Sequence, residues 1–235
     1  GCIGTSHFDG RQLFILGKHG VDNDEFDRHV LTHEFSHYLD NAIGRSDSPG
    51  GSHSGNQVKD MSLAMSEGQG NALAAILLYP DVIYIDTRGG RENTGFYRNL
   101  ENNDADRLAG FFNERTTERL IYDLFDPPSD AEPWDQVNLD LGQIVDVIQA
   151  QSRAYAFASI FTFISNAKAL LPEWADAIDT FIETRYRRPE RCNAPEMKDC
   201  GLEPITNQWG DGELHDGGWD PNIPPAPIER HVHAP

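Results

Sequence analysis

The sequence predicts an α+β chain that is predominantly helical, with a short β-element near the N terminus and a helical C-terminal half. Apolar residues recur at helical spacing over residues 24–43, 57–79, 105–125 and within 139–186, whereas strand-like runs are confined to residues 12–16 and 81–86. Gly44, Pro80, the pair Pro127 and Pro128, and Pro172 fall where those helical stretches should stop or break. A length of 235 residues suffices for one large domain with a sizeable core, and no internal repeat divides it.

Taken in order, residues 12–16 form a β-like run bounded by Gly10 and Gly17. It reads either as an ordinary core strand or as an edge on which a peptide could add as an extra strand. Residues 21–27, VDNDEFD, are dense in carboxylates just before Phe26, Val30, Leu31, Phe35 and Leu39, the expected apolar face of the first helix. Acids suit a helix start because Asp and Asn cap free N–H groups and negative charge favours the N-terminal end of the dipole. The same run could supply some of the oxygens of a Ca2+ site. Residues 45–56 are a Gly/Ser loop carrying His53, either a connector or the rim of a site, so His53 reads as a solvated loop residue or as a contact to substrate or transition state.

The second helix, 57–79, draws its apolar face from Val58, Met61, Ala64, Met65, Ala72, Ala75, Ile76 and Leu78. Gly68 and Gly70 lie inside it at a cost of about 1 kcal/mol each relative to alanine, which close approach of another element would explain. A strand at 81–86 leads into a polar glycine-bearing loop, 87–95, and then a third helix, 105–125, with Leu108, Phe111, Phe112, Leu120, Ile121 and Leu124 apolar. A polar linker runs to Asn138, and in the helix-rich stretch that follows Tyr155, Phe157, Phe161 and Phe163 read as a core stripe. The organisation is therefore a principal domain over 1–186, with a site-bearing half at 12–126 and a helical half at 139–186. An irregular Pro/Gly-rich extension follows over 187–235, draped through Trp209 and Trp219.

Thirty-eight acidic against nineteen basic side chains give a formal charge of -19, which disfavours phosphate backbones and anionic lipid, so no nucleic-acid partner is expected. The longest apolar run, 72–78, is far short of the roughly twenty residues of a membrane span. Of the three cysteines, Cys192 and Cys200 flank CNAPEMKDC and are expected to close a small disulfide loop, the alternative being two free thiols. Cys2 is free, paired elsewhere, or a lipidation site. A chain opening at Gly1-Cys2 reads as a processed product of a longer precursor, secreted or held in the cell envelope.

The chemistry concentrates in residues 30–40, VLTHEFSHYLD. His33 and His37 are four apart, so on a helix both imidazoles point from one face toward a single metal ion, and Glu34 lies close enough to act as general base on a water beside it. A catalytic zinc takes three protein ligands. Glu67 is the best third ligand, since it sits on the next helix among apolar neighbours that make an unpaired carboxylate costly; its other reading is a helix N-terminal acid. Asn71, one turn on, could bond the outer nitrogen of a ligand histidine, with Asp40 a second candidate for that role.

HEFSH followed by SEGQGN resembles the gluzincin branch of zinc metallopeptidases, and NERTTERLIYDLFD resembles the helix after the third ligand in secreted bacterial and fungalysin-like members. The likeness covers residues 15–126 and implies a zincin-like fold with one catalytic Zn2+ held by His33, His37 and Glu67. It also implies Glu34 as the base and a peptide or protein as substrate. Two departures stand out. Asn71 takes a position where thermolysin-like enzymes carry aspartate, and GFFNE at 110–114 lacks the histidine or tyrosine that steadies the oxyanion in such enzymes. Tyr97, Tyr122, Tyr155, Arg115, Arg119 and His53 are substitutes, with Tyr97 preferred because it is expected on a polar loop. The expected function is zinc-dependent peptide-bond hydrolysis through an activated water. The alternatives are a zincin-like binding module with a structural or vestigial metal and metal-dependent hydrolysis of a non-peptide substrate.

Overall fold

Two small hairpins lead into the helices. In the first, β1 (His7–Phe8) pairs antiparallel with β2 (Leu13–Phe14), and in the second β3 (Gly17–Lys18) pairs with β4 (Asp22–Asn23). The computed structural model describes residues 3–51, 53–55, 57–88, 95–101, 110–129 and 133–186. The remaining elements are α1 (Arg28–Ile43), α2 (Met61–Leu77), β5 (Ile83–Thr87), β6 (Gly95–Asn99), α3 (Glu114–Asp123), α4 (Leu141–Gln151), α5 (Ile160–Leu170) and α6 (Ala175–Phe181). This is a mixed α+β, mostly helical chain with small N-terminal hairpins and a helical C-terminal half. Among the described residues no helix is long and apolar enough to cross a membrane.

Helix α1 starts at Arg28, four residues later than the spacing predicts, because the acids ahead of it bond elsewhere. Asp24 sits in a short 3-10 turn and accepts from the Ser6 hydroxyl, while the Asp27 carboxylate turns away from the helix end to accept from Thr87 N at 2.6 Å and Thr87 Oγ1 at 2.8 Å. Gly44 does end the helix, its N–H donating to Asp40 O, and a Cβ there would lie 2.9 Å from Ile148 of α4. The face that α1 buries is only partly the one expected: Val30 is buried and Leu31 and Leu39 are half-buried, but polar residues fill most of it. His29, Val30, His33, Glu34, Ser36 and Asp40 are buried, whereas Phe26 and Phe35 are exposed. The N-terminal hairpin covers part of the outer side, with Phe8 edge-on to Tyr38 at 6.0 Å.

Helix α2 is the spine, buried along nearly its whole length between α1 and α3. It begins at Met61 rather than 57 because Asp60 caps it, accepting from Ser62 N and Leu63 N. Val58 therefore leaves the apolar face and is half exposed in a bridge to Asn113. Both internal glycines mark close approaches. A Cβ at Gly68 would stand 2.6 Å from Glu114 O and Thr117 Cβ, and one at Gly70 would stand 2.8 Å from the His33 ring.

Beyond α2, β5 pairs antiparallel with β6 in the register Tyr84 to Arg98, so Tyr97 belongs to a strand and not to the polar loop expected around it. Helix α3 is shorter than its predicted range: Asn113 caps it through Arg115 N and Thr116 N, and residues 105–109 lie outside the described ones. Helices α4 and α5 start at full capping boxes, Asp140 with Gln143 and Ser159 with Thr162. The break near Pro172 is a 3-10 turn at Pro172–Trp174. The core joins Leu73, Leu120, Ile121, Ile144, Ile148, Ile160, Phe163 and Phe181. Only half of the expected aromatic stripe belongs to it. Phe163 is buried and Phe161 packs alongside, but Tyr155 and Phe157 are exposed because they precede the α5 cap in irregular chain. Cys2, Cys192, Cys200, Trp209, Trp219 and the whole of 187–235 lie outside the described residues.

Candidate metal centre

Antiparallel packing of α1 on α2 brings the motif of one helix against Glu67 of the other. His33 Nε2 is 3.3 Å and His37 Nε2 3.7 Å from Glu67 Oε2, and the two Nε2 atoms are 3.1 Å apart. Three Lewis-basic atoms this close repel one another unless a proton or a cation lies between them. In the protein alone shared protons do this. Burial works against ionising Glu67, yet hydrogen bonds from His33, His37 and His53 hold it well below the usual carboxylate range. Burial likewise lowers His33, but Glu67 outweighs it and raises the imidazole. Two imidazoles and one carboxylate oxygen, all within 4.8 Å of one another, are a donor set that suits a borderline divalent ion such as zinc.

The outer nitrogens are also engaged. His33 Nδ1 meets Asn71 Oδ1 at 2.8 Å. The direction of this bond is set one step further back, where Asn71 Nδ2 donates to Glu114 Oε1 at 2.9 Å. A carboxylate accepts only, so the amide NH2 faces Glu114 and the amide oxygen faces His33. His33 Nδ1 then carries a hydrogen, which is the tautomer that leaves Nε2 for a metal. His37 Nδ1 is met by Ser66 Oγ at 3.3 Å. Asp40 takes a different partner from the one expected. It accepts from Gln69 Nε2 at 2.6 Å, and burial raises it to about 7 against the pull of that bond.

Glu34 is buried beside this trio, and its Oε2 has no hydrogen-bond partner among the described residues. Trio and Glu34 line a cleft of about 1440 Å³ shared with His53, Tyr84, Arg98 and Arg115. His53 reaches it from the Gly/Ser loop, with Nε2 3.2 Å from Glu67 Oε2 and Nδ1 3.0 Å from Glu114 Oε2. Those two bonds, Glu114 first, raise it to about 10 against a smaller effect of burial. The loop is anchored upstream, where Arg45 donates to Ala154 O and Ala156 O and Asp47 accepts from Ala158 N. His53 thus stands at the exposed rim of the cleft and bonds to both Glu67 and Glu114.

The other substitutes for the missing electrophile separate by position. Arg115 lines the cleft, whereas Tyr97 is 82% exposed on β6, Tyr155 is fully exposed and Tyr122 is buried in the core, and none of these three lines the cleft. Arg119 is buried without lining it. Two groups that sequence reasoning missed stand close to the histidines. Tyr84 is edge-on to His33 at 6.3 Å with Arg98 over its ring at 5.4 Å. Glu114 is the other. The run DVIYID read only as a short strand, without showing which face would meet α1, and Glu114 fell inside the predicted third helix, as the last residue of GFFNE, with no role of its own.

A second group of carboxylates, Asp22, Asp24 and Asp86, has oxygens within 4.8 Å of one another on the same cleft. It draws two members from the acidic run considered for Ca2+, but Asp86 also pairs with Arg88 at 3.3 Å. Burial and its acidic neighbours raise Asp24 to about 6 despite the Ser6 bond. No protein-family model, curated protein or solved structure matches the chain.

Proposed function

We propose that the chain is a zinc-dependent endopeptidase with a zincin-like fold, secreted or held in the cell envelope. One juxtaposition carries the reading: a His, His, Glu donor set beside a buried glutamate whose Oε2 is free to take a proton. A purely structural metal site has no use for such a base. His33, His37 and Glu67 would hold the ion, and when bound it supplies a Lewis acid that makes water a nucleophile at neutral pH and polarises a carbonyl.

The chain's own residues do the rest. Glu34 accepts the proton of the attacking water at Oε2 and passes it to the leaving amine nitrogen. His53, held at Nδ1 by Glu114, presents Nε2 beside the Glu67 ligand atom and donates to the substrate oxygen as negative charge grows on it. This role falls to His53 rather than Tyr97. A cleft of about 1440 Å³ has room for several residues of a peptide, which supports internal cleavage over removal of a single end residue.

The test is Glu34→Gln, assayed on a mixed peptide library with and without chelator and added zinc. The variant should bind zinc like the parent and lose hydrolysis by at least about a hundredfold. Undiminished hydrolysis by the variant rejects the assignment, and inactivity of the zinc-loaded parent favours the binding-module alternative.

A further inference from the structure

Glu114 opens α3 and its side chain is almost wholly buried. Its two oxygens serve different halves of the site. Oε1 accepts from Asn71 at 2.9 Å, while Oε2 accepts from His53 Nδ1 at 3.0 Å and from Lys59 Nζ at 2.7 Å. Lys59 is itself buried and also donates to Ser54 O, next to His53 in the loop. The backbone that carries Glu114 can lie against α2 only because residue 68 has no Cβ, which would meet Glu114 O at 2.6 Å.

Each half depends on this carboxylate in a different way. Toward His33 the dependence is one of direction. An asparagine amide can present either its oxygen or its NH2, and the wrong end would demand a bare Nδ1 and put the hydrogen on Nε2, where a metal must bind. Glu114 removes that choice by accepting from the NH2. Toward the cleft the dependence is one of position, because His53 rides on a Gly/Ser loop and Glu114 is the group that bonds its Nδ1.

We infer that Glu114 is the positioning residue of this centre: one carboxylate that sets the tautomer of His33 through Asn71 and holds His53 at the cleft. The aspartate that thermolysin-like enzymes place against the histidine is thereby split into a neutral spacer, Asn71, and a charge one bond further out. The His53 half rests on the peptidase reading above; the His33 half requires only that the trio binds a metal.

The experiment uses the full chain and two readouts, zinc affinity by competition with a chromophoric chelator and kcat on a peptide that the parent cleaves. Glu114→Gln should weaken zinc binding by roughly 10–100-fold, the usual loss when an outer partner of a ligand histidine goes, and should lower kcat as well. Adding Asn71→Asp to that variant returns a carboxylate directly to His33. Zinc affinity should then recover while kcat stays low, since His53 keeps only a neutral amide oxygen where it had a carboxylate, and a merely structural glutamate would not produce that split. Should Glu114→Gln fail to fold beside Lys59, Glu114→Asp keeps the charge but withdraws the oxygens, and the same pair of readouts applies. Zinc affinity and kcat both unchanged in a folded variant overturn the inference, as does a double variant whose zinc affinity does not recover. A parent that binds zinc but cleaves nothing removes the peptidase reading alone, and the zinc affinities then decide the His33 half by themselves.

Discussion

Helix α1 and the helices α4, α5 and α6 bury opposite kinds of surface, and α2 buries both kinds. In α4 to α6 the buried side chains are Ile144, Val147, Ile148, Ile160, Phe163, Ile164, Ala167, Ile178 and Phe181, with Gln151 and Thr162 as the polar exceptions. In α1 the buried face is His29, His33, Glu34, Ser36 and Asp40 around a single valine, and α2 adds Ser62, Ser66, Gln69 and Asn71 to a buried surface otherwise made of Leu63, Ala64, Met65, Ala72, Leu73, Ala74, Ala75, Ile76 and two glycines. Burying polar groups is tolerable only when they are bonded. Most of these are: His29 meets Asp81 O, Ser36 meets Thr32 O, Asp40 meets Gln69, and Asn71 meets both His33 and Glu114. Glu34 keeps an unbonded buried oxygen. Helices α4 to α6 and the apolar residues of α2 thus hold the chain together through apolar area, while α1 and the polar residues of α2 form a polar seam in which Glu34 keeps the unbonded oxygen that the proposed mechanism uses as a base.

The contrast can be broken most severely at Glu67. Glu67→Ala leaves the two histidines facing each other without the carboxylate, and zinc affinity should fall by more than the roughly 10–100-fold that loss of an outer partner costs. Metal analysis that finds full, tight occupancy in that variant would remove Glu67 from the donor set. On the apolar side, Phe163→Ala should cost about 3–5 kcal/mol in denaturant unfolding while kcat per folded, zinc-loaded molecule stays at the parent value. A large loss of kcat there would mean that the apolar packing and the polar seam do not divide the work in this way.

A milder probe is pH. Burial raises Asp40 from 3.8 to about 7, so the folded state holds its proton more tightly than the unfolded state does. The stability this contributes is complete below pH about 4 and is lost as pH rises toward about 7. Asp40→Asn keeps an acceptor for Gln69 and does not titrate. The stability of the variant relative to the parent should therefore rise across that window by on the order of a few kcal/mol, read as the difference between the two denaturation midpoints at each pH. A difference that is flat with pH would show that Asp40 does not ionise there. The smallest effect is expected at Tyr155, which is fully exposed just before α5; Tyr155→Ser should shift stability by no more than about 0.5 kcal/mol. A large shift would restore it to the core stripe.

Legibility from sequence followed the range of the interaction. His33, Glu34 and His37 could be read because their relation is helical period, and period is local. Gly44 and Pro172 could be read as stops for the same reason. The buried face of α1 could not. Counting apolar positions pointed to Phe26, Val30, Leu31, Phe35 and Leu39, of which only Val30 is buried; a polar face is buried when its partners are waiting on another helix, and those partners are invisible at short range. Tyr97 failed for a related reason, since pairing with Ile85 across β5 and β6 turned an expected loop into a strand and left its side chain in solvent.

By itself, then, the sequence determined the helical character, the helix stops and the His-Glu-x-x-His face, because backbone propensity and residue spacing act within a turn or two. It also marked Gly68 and Gly70 as places where something must come close. Only the tertiary structure decided what came close: α3 with Glu114 at one glycine and the His33 ring at the other. That packing delivers His53 and Glu114, residues 61 apart in the chain, to within a hydrogen bond of each other and of the groups on α1 and α2. Distances across a core follow from how whole elements pack, and no local pattern carries them.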